Sequence, residues 1–274
     1  MGKSYQEHFE QRGSAYDKAM LRFPKARQQE FEQVIAAAQI TAGMTVVDVP
    51  AGGAYLREFL PANVNYQAHE PCASFTNHGI APPPAGAAPT GSGTPKQERA
   101  ALAENDALPQ GGLPLLPLPW RDGEVDAAVS LAGVHHLDDK VPLFRELKRV
   151  LKSGGRLALS DVAKGSKVAK FLDGYVGDNN STGHEGLFLD RDTLTELEQA
   201  GFAIEQRHQN DFHWIFPDRY SMAAFCHELF DLQKSTIADT QRAIENELGV
   251  TEYPDGRVGM HWSLMTIAAV ARHE

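Results

Sequence analysis

The stretch from Met44 to Leu60 constrains this chain more than any other. Met44 to Val49 is short, rich in β-branched residues and bounded by glycines, the composition of a strand buried on both faces of a parallel sheet. It runs directly into Pro50-Ala51-Gly52-Gly53-Ala54, and Tyr55 to Leu60 then reads as a helix. Strand, glycine turn and helix in that order open a βαβ unit. In a doubly wound sheet, ligands bind outside the carboxyl ends of the strands where the strand order reverses, and the first strand lies at that point. Gly52 and Gly53 let a ligand come close to the backbone there, but a glycine pair after a strand also serves plain turns. The rest of the chain has to decide between the two.

The rest of the chain repeats the alternation. Phe31, Val34, Ile35 and Ala38 mark a helix from Gln28 to Ile40, and Val64 to His69 reads as a second strand ending at Glu70-Pro71. Gly79 to Pro95 is rich in Pro, Gly, Ala, Ser and Thr, and proline interrupts the sequence again up to Pro119, which predicts a flexible loop over about 79–119. Val125 to Leu131 is a further buried strand. Leu143, Leu147, Val150 and Leu151 form a helical stripe stopped at Gly154-Gly155, where glycine can cap a helix. Arg156 to Val162 follows as a strand, Thr193 to Ala200 as a helix and Phe202 to Gln206 as a strand. Between residues 216 and 256 the pattern changes. Met222, Phe225, Cys226, Leu229 and Phe230 form one helical stripe, and Ile237, Ile244 and Leu248 mark a second helix before a last strand from Trp262 to Val270. The fold class is therefore α/β, a doubly wound and mostly parallel sheet, of which six strands are read here, with a helical insertion near the C-terminus.

Composition narrows the functions open to such a fold. A net charge of −10 repels phosphate backbones and anionic lipid, so small-molecule ligands are favoured over nucleic acid. No apolar run approaches the length of a membrane span, and the polar start Met1 to Glu7 is no secretory signal. Cys72 and Cys226 stand far apart, outside any paired spacing, which suits a reducing compartment and makes the cytoplasm the expected location.

Several segments in order carry a family resemblance. They are Val46-Val47-Asp48-Val49-Pro50-Ala51-Gly52-Gly53-Ala54, then His69-Glu70-Pro71, then Leu118 to Ser130 with His135-His136-Leu137, and finally Glu146-Leu147-Lys148-Arg149-Val150-Leu151-Lys152-Ser153-Gly154-Gly155. This series resembles the class I methyltransferases, and more narrowly the subgroup acting on small metabolites and lipids. The resemblance implies S-adenosyl-L-methionine as cofactor, a seven-stranded Rossmann-like sheet and a single domain over 1–274. Within it, 28–206 would be the cofactor-binding core, 216–256 a helical lid insertion and 257–274 a terminal strand.

Carried over residue by residue, Asp48 would help to place the methionine amino group, and Ala51, Gly52 and Gly53 would line its amino-acid portion. Glu70 would accept hydrogen bonds from both ribose hydroxyls, a role for an acceptor-only group. Asp106 and Ala107 match the acidic position near the adenine, and Leu131 and Ala132 would face the methionine moiety. Tyr16 belongs to an amino-terminal segment that folds over the cofactor in similar enzymes. Pro50 and Ala54 stand where the family usually has glycine, and Pro50 brings a fixed φ and no donor N–H.

His135 and His136 fall just beyond the Val125–Leu131 strand, near where a transferred methyl group would lie. His184, flanked by glycines in Thr182-Gly183-His184-Glu185-Gly186, follows the next strand. Each of the three is a candidate general base or substrate-orienting group. Asp138-Asp139 is read as a helix start, because adjacent residues do not share a face. His213, His227 and His261 show no ligand spacing, so no metal is expected. The expected function is methyl transfer to a small-molecule acceptor by in-line displacement. Two other readings keep the fold: a cofactor-binding or regulatory module without turnover, and an enzyme that uses S-adenosylmethionine without transferring methyl. A nicotinamide dehydrogenase is disfavoured because Asp48 precedes the glycines and the spacing is not G-x-G-x-x-G.

Overall fold

The computed structural model describes residues 5–75 and 114–273. Asp106, Ala107 and the loop expected over 79–95 lie outside the described residues. The strands are β1 (Thr45–Asp48), β2 (Asn65–Ala68), β3 (Val125–Leu131), β4 (Leu151–Asp161), β5 (Phe202–Phe216), β6 (Val250–Glu252) and β7 (Val258–Ala271). Helices α1 (Tyr5–Arg22) and α2 (Gln28–Ala37) precede the sheet, α3 (Val141–Val150) connects β3 to β4, and α4 (Lys167–Phe171) and α5 (Arg191–Gln199) follow β4. Helices α6 (Arg219–Leu229) and α7 (Ile237–Ala243) lie between β5 and β6.

These seven strands form one sheet in the order β2-β1-β3-β4-β7-β5, with β6 added on β7. β1 pairs in parallel with β2 and β3, and β3 with β4. β7 runs antiparallel to β4, β5 and β6, so six strands share one direction. Alternation along the strands feeds two apolar layers. Val46, Ala127, Val129 and Ala158 face one side, with α1, α2 and α6, whereas Val47, Ala128, Leu157 and Leu159 face the other, with α3 and α5. The order reverses at β1, so the carboxyl ends of β1, β3 and β4 open onto one edge of the sheet.

Three details depart from the sequence expectation. The helix expected over 55–60 is a single 3₁₀ turn, Tyr55–Phe59. Leu60 is already extended at ψ 149°, as a residue before proline prefers. Just before that turn Ala54, which stands where the family usually has glycine, sits in the left-handed region at φ 60°. The strands expected over 202–206 and 262–270 are far longer. They pair from Phe202 with Ala271 to Phe216 with Val258, and their far end carries Trp214, Phe216, Met260 and Trp262 as a platform for α6. The strand expected from Arg156 begins at Leu151, and its register with β3 shifts between Val125 and Ala127.

The segment Glu146 to Gly155 has a clear structural task. Arg149 donates to Glu146 at 2.7 Å, to the carbonyls of Trp120 and Leu118 at 2.8 and 3.1 Å, and to Asp122 at 2.8 Å, while Glu146 accepts from the Leu118 N–H. The pair thereby pins the Leu118–Asp122 turn that leads into β3. Trp120 belongs to this anchor and to the core beneath it, not to the open edge of the sheet.

Candidate active site

Two small cavities lie side by side at that edge. The first, about 50 Å³, is bounded by Asp48, Ala51, Gly52, Leu131 and Ala132 under a cover from α1. Asp48 ends β1, is 4% exposed and accepts a hydrogen bond from the Tyr66 hydroxyl at 2.7 Å. Burial pushes its carboxyl up to about 7; the nearby Glu70 charge adds to the rise and the Tyr66 bond opposes it. Glu70, just past β2, is fully buried. One of its oxygens accepts from the Gly52 N–H at 2.8 Å and the Tyr5 hydroxyl at 2.9 Å, and the other from the Cys72 N–H at 2.9 Å. Burial raises this carboxyl too, against those three donors. Gly52 reaches Glu70 with φ at +54°, a conformation that favours glycine. Pro50 packs against Gly133, where an added Cβ would come within 2.6 Å of the proline ring. Proline in place of the usual glycine thus builds a contact between the β1 and β3 ends.

The second cavity, about 60 Å³, shares Phe9, Tyr16, Arg27 and Ala132 with the first and continues to His135, His136 and His184. Ala132 turns the chain at the end of β3 with φ 51°, and Val134–His136 forms a 3₁₀ turn behind it. His135 is 6% exposed, and its Nδ1 lies 2.7 Å from Asp161, the last residue of β4. Asp161 also accepts from the His135 and Val162 backbone N–H groups at 3.0 and 2.7 Å. Burial works to raise Asp161, but the His135 ring and these N–H groups outweigh it and hold the carboxyl below its usual range. An ionised Asp161 only accepts, so His135 donates from Nδ1 and keeps Nε2 as its acceptor.

His184 is placed in the same way. The Leu187 N–H donates to the His135 carbonyl at 2.8 Å and ties the two segments together. His184 Nδ1 donates to Asp173 at 2.8 Å, on the oxygen that also accepts from the Gly186 N–H. Burial lowers the pKa of His184; Asp173 counters this, and the nearby Arg12 charge reinforces it. The imidazole is thus held neutral.

α1 closes both cavities. Tyr5, Phe9, Arg12 and Tyr16 recur at helical spacing on its inner face. The Tyr16 hydroxyl meets Arg27, which is bound in turn by Glu30, and Glu30 also accepts from Trp214 Nε1 at 2.7 Å. Trp214 stacks on Trp262 with ring centroids 4.3 Å apart, forming a far wall with Leu229 and Phe230 beside α6.

The structure therefore brings Tyr16, Asp48, Ala51, Gly52, Leu131 and Ala132 to one cavity, with Glu70 bonded to its wall, and His135, His136 and His184 to the adjoining one. Gly53 is turned toward Tyr55, where an added Cβ would come within 2.5 Å of the ring. Sequence reasoning missed Tyr5, Arg12, Asp161 and Asp173. An arginine between Phe9 and Tyr16 on one helical stripe was the readable signal for Arg12, whereas the two aspartates become visible only through their histidines. His213 and His261, which looked scattered, are directly opposed across β5 and β7 with rings stacked at 4.9 Å, and His213 bonds Tyr253. No metal was expected, yet one ring nitrogen from each of His135, His136 and His184 lies within 4.8 Å of the others, an arrangement with the donor set to hold an ion. The neighbouring Arg12 charge opposes a second cation there.

A doubly wound sheet with buried carboxylates at the ends of β1 and β2 thus carries two adjoining cavities at one edge. Residues 98–159 match the family model described as a methyltransferase domain. Over 46 residues the chain is 41% identical to the 27-O-demethylrifamycin SV methyltransferase of Amycolatopsis mediterranei, covering 17% of each protein. Over 89 residues it is 30% identical to the uncharacterized protein YafE of Escherichia coli, covering 32% of this chain and 43% of that one. The chain thus aligns with less than half the length of these curated relatives. Among solved structures, the [4+2]-cyclase SpnF superposes with a TM-score of 0.59 at 15% identity, over 100% of this chain and 98% of that one. A geranyl diphosphate methyltransferase in complex with SAM superposes with a TM-score of 0.54 at 13% identity, over 89% and 84%. In fold and in the matched segment the chain is similar to the class I S-adenosylmethionine-dependent methyltransferases.

Proposed function

We propose that the protein transfers a methyl group from S-adenosylmethionine to a small-molecule acceptor. The observation that carries this reading is that the two cavities share a wall at Ala132: ligands in each would meet beside an imidazole aimed by a buried carboxylate. The residues of the first cavity fit an adenosyl ligand. Glu70 is a fixed, buried acceptor, Asp48 is a second carboxylate short of hydrogen-bond donors, and residues 51–54 carry no side chain larger than alanine.

When bound, the cofactor supplies an electrophilic methyl group. The chain's own work is to align the acceptor against it and to exclude water, which α1 and the Trp214–Trp262 wall support. His135 is placed to take the acceptor's proton at Nε2 while Asp161 holds its tautomer, and the neutral His184 and His136 orient the same group. α6 contributes Leu229 to the second cavity, in keeping with a lid role for 216–256. Among the described residues no helix is long and apolar enough to cross a membrane, which suits a small acceptor taken from solution.

Calorimetric titration with S-adenosylhomocysteine, with NAD as control, tests the cofactor. Saturable binding weakened by both Asp48→Ala and Glu70→Ala is expected. An acceptor screen read by mass spectrometry should then show products heavier by one methylene. Tight cofactor binding with rearranged but unmethylated products would favour a use of the fold like that of the cyclase SpnF.

A further inference from the structure

Arg12 is the least compensated charge in the second cavity. Its side chain lines that cavity and the residue is 4% exposed, yet among the described residues nothing accepts a hydrogen bond from its Nε or Nη1. Arg27 lines the same cavity, is equally buried, and has its charge met by Glu30 at 2.5 and 2.9 Å. Burial lowers the Arg12 pKa, and the Asp231 charge offsets only part of that without a hydrogen bond. Taking an ion out of water without a partner is costly, so such groups are met by a counter-charge. Among the described residues no carboxylate is hydrogen-bonded to Arg12 Nε or Nη1. The arginine also stands on α1 beside His184, facing the platform of Trp214, Trp262 and Phe230.

We infer that the methyl acceptor is a monocarboxylic acid with an apolar or aromatic body, its carboxylate paired with Arg12 and its body against Trp214, Trp262 and Phe230. A single carboxylate matches the single uncompensated charge, whereas a phosphate dianion would need a second cation that Arg27, already bound to Glu30, does not offer. The guanidinium thereby fixes one end of the acceptor and leaves its nucleophilic atom to the histidines. This assignment rests on the second cavity being the acceptor site.

The test uses the full chain and its Arg12→Met variant. Tryptophan fluorescence, reporting on Trp214 and Trp262, is titrated with a panel of aromatic and aliphatic hydroxy acids, 4-hydroxycinnamate among them, each against its own methyl ester. Wild type should bind at least one acid about tenfold or more tighter than its ester, and Arg12→Met should abolish that preference. Without ligand, Arg12→Met should melt at the same temperature as wild type or higher, because an unpaired buried charge has been removed. A clear fall in melting temperature would make Arg12 a structural residue and overturn the assignment, as would equal binding of every acid and ester. S-adenosylhomocysteine and 5′-methylthioadenosine, which lacks the amino-acid portion, separate the two sources of carboxylate. If Arg12→Met weakens only the former, Arg12 serves the cofactor and the inference fails. If neither adenosyl ligand binds wild type while the acid preference stands, it is the methyl-transfer reading that fails.

Discussion

Asp48 and Asp161 occupy equivalent places, each the last residue of a parallel strand and each almost fully buried, yet their carboxyl groups are driven in opposite directions. Asp161 accepts from two backbone N–H groups and the His135 ring. Asp48 has the Tyr66 hydroxyl. At Asp161 the His135 ring together with the two N–H groups outweighs desolvation, whereas at Asp48 the Tyr66 bond does not and the Glu70 charge adds to the rise, so Asp161 is held below its usual range while Asp48 rises to about 7. The aspartate beside the second cavity is therefore complete in the free protein and holds a histidine. That of the first cavity is short of partners, which a cationic ligand group would supply. Strand position alone does not set a carboxylate's task; the donors around it do.

The largest effect should come from disturbing the completed side. Asp161→Asn removes the acceptor that fixes the His135 tautomer and should lower kcat by about 10³-fold, in the range lost when a catalytic histidine is misoriented. The S-adenosylhomocysteine affinity should stay within about twofold of wild type, because Asp161 lies outside the first cavity. Steady-state kinetics with the identified acceptor and calorimetry on the same preparation check both halves. An equal loss of cofactor binding would erase the contrast between the two aspartates.

The first cavity was more legible in the sequence than the second. Asp48 and Gly52 lie at one strand end and its turn, Glu70 joins them through the pairing of β1 with β2, and all three stand in segments that carry the family resemblance, which is what marked them. Asp161, Asp173 and Arg12 reach the histidines through the parallel pairing of β3 with β4, the Leu187-to-His135 hydrogen bond and the docking of α1. Apart from the helical stripe that carries Arg12, none of these has a short-range signature. The strand and helix alternation was readable from apolar periodicity. The extended β5–β7 ribbon was not, because residues 205–209 are exposed and polar and break the pattern of a buried strand.

A smaller effect separates the aspartates by pH. With its folded pKa raised toward 7, Asp48 favours the ligand-free fold most below about pH 4, and that contribution is lost as pH rises toward about 7, by at most about 4 kcal/mol. Asp161, with a lowered pKa, acts in the opposite sense: its contribution is present above the ordinary aspartate pKa and is lost as pH falls through the lowered value. Asp48→Asn should therefore flatten the decline between about pH 4 and 7 in a melting-temperature series. Affinity for S-adenosylhomocysteine should rise through about pH 7 in wild type as Asp48 ionises, and should be about tenfold weaker and pH-independent in the variant. A wild-type affinity that falls over this range would remove Asp48 from the cofactor's ammonium group.

The smallest effect tests whether the first cavity is closed by its own chain. The Tyr5 hydroxyl donates to the same Glu70 oxygen as the Gly52 N–H. A ribose hydroxyl reaching Glu70 would compete with it, because a carboxylate oxygen offers few acceptor directions. Tyr5→Phe deletes the competitor but keeps the ring that packs on Phe9 at a centroid distance of 4.8 Å. The free protein should lose about 1 kcal/mol of stability, and S-adenosylhomocysteine should bind up to about fivefold tighter, since the ligand no longer displaces a hydrogen bond. If binding weakens instead, Tyr5 stays with Glu70 in the complex, and α1 is a wall of the finished site and not a cover that yields to the cofactor.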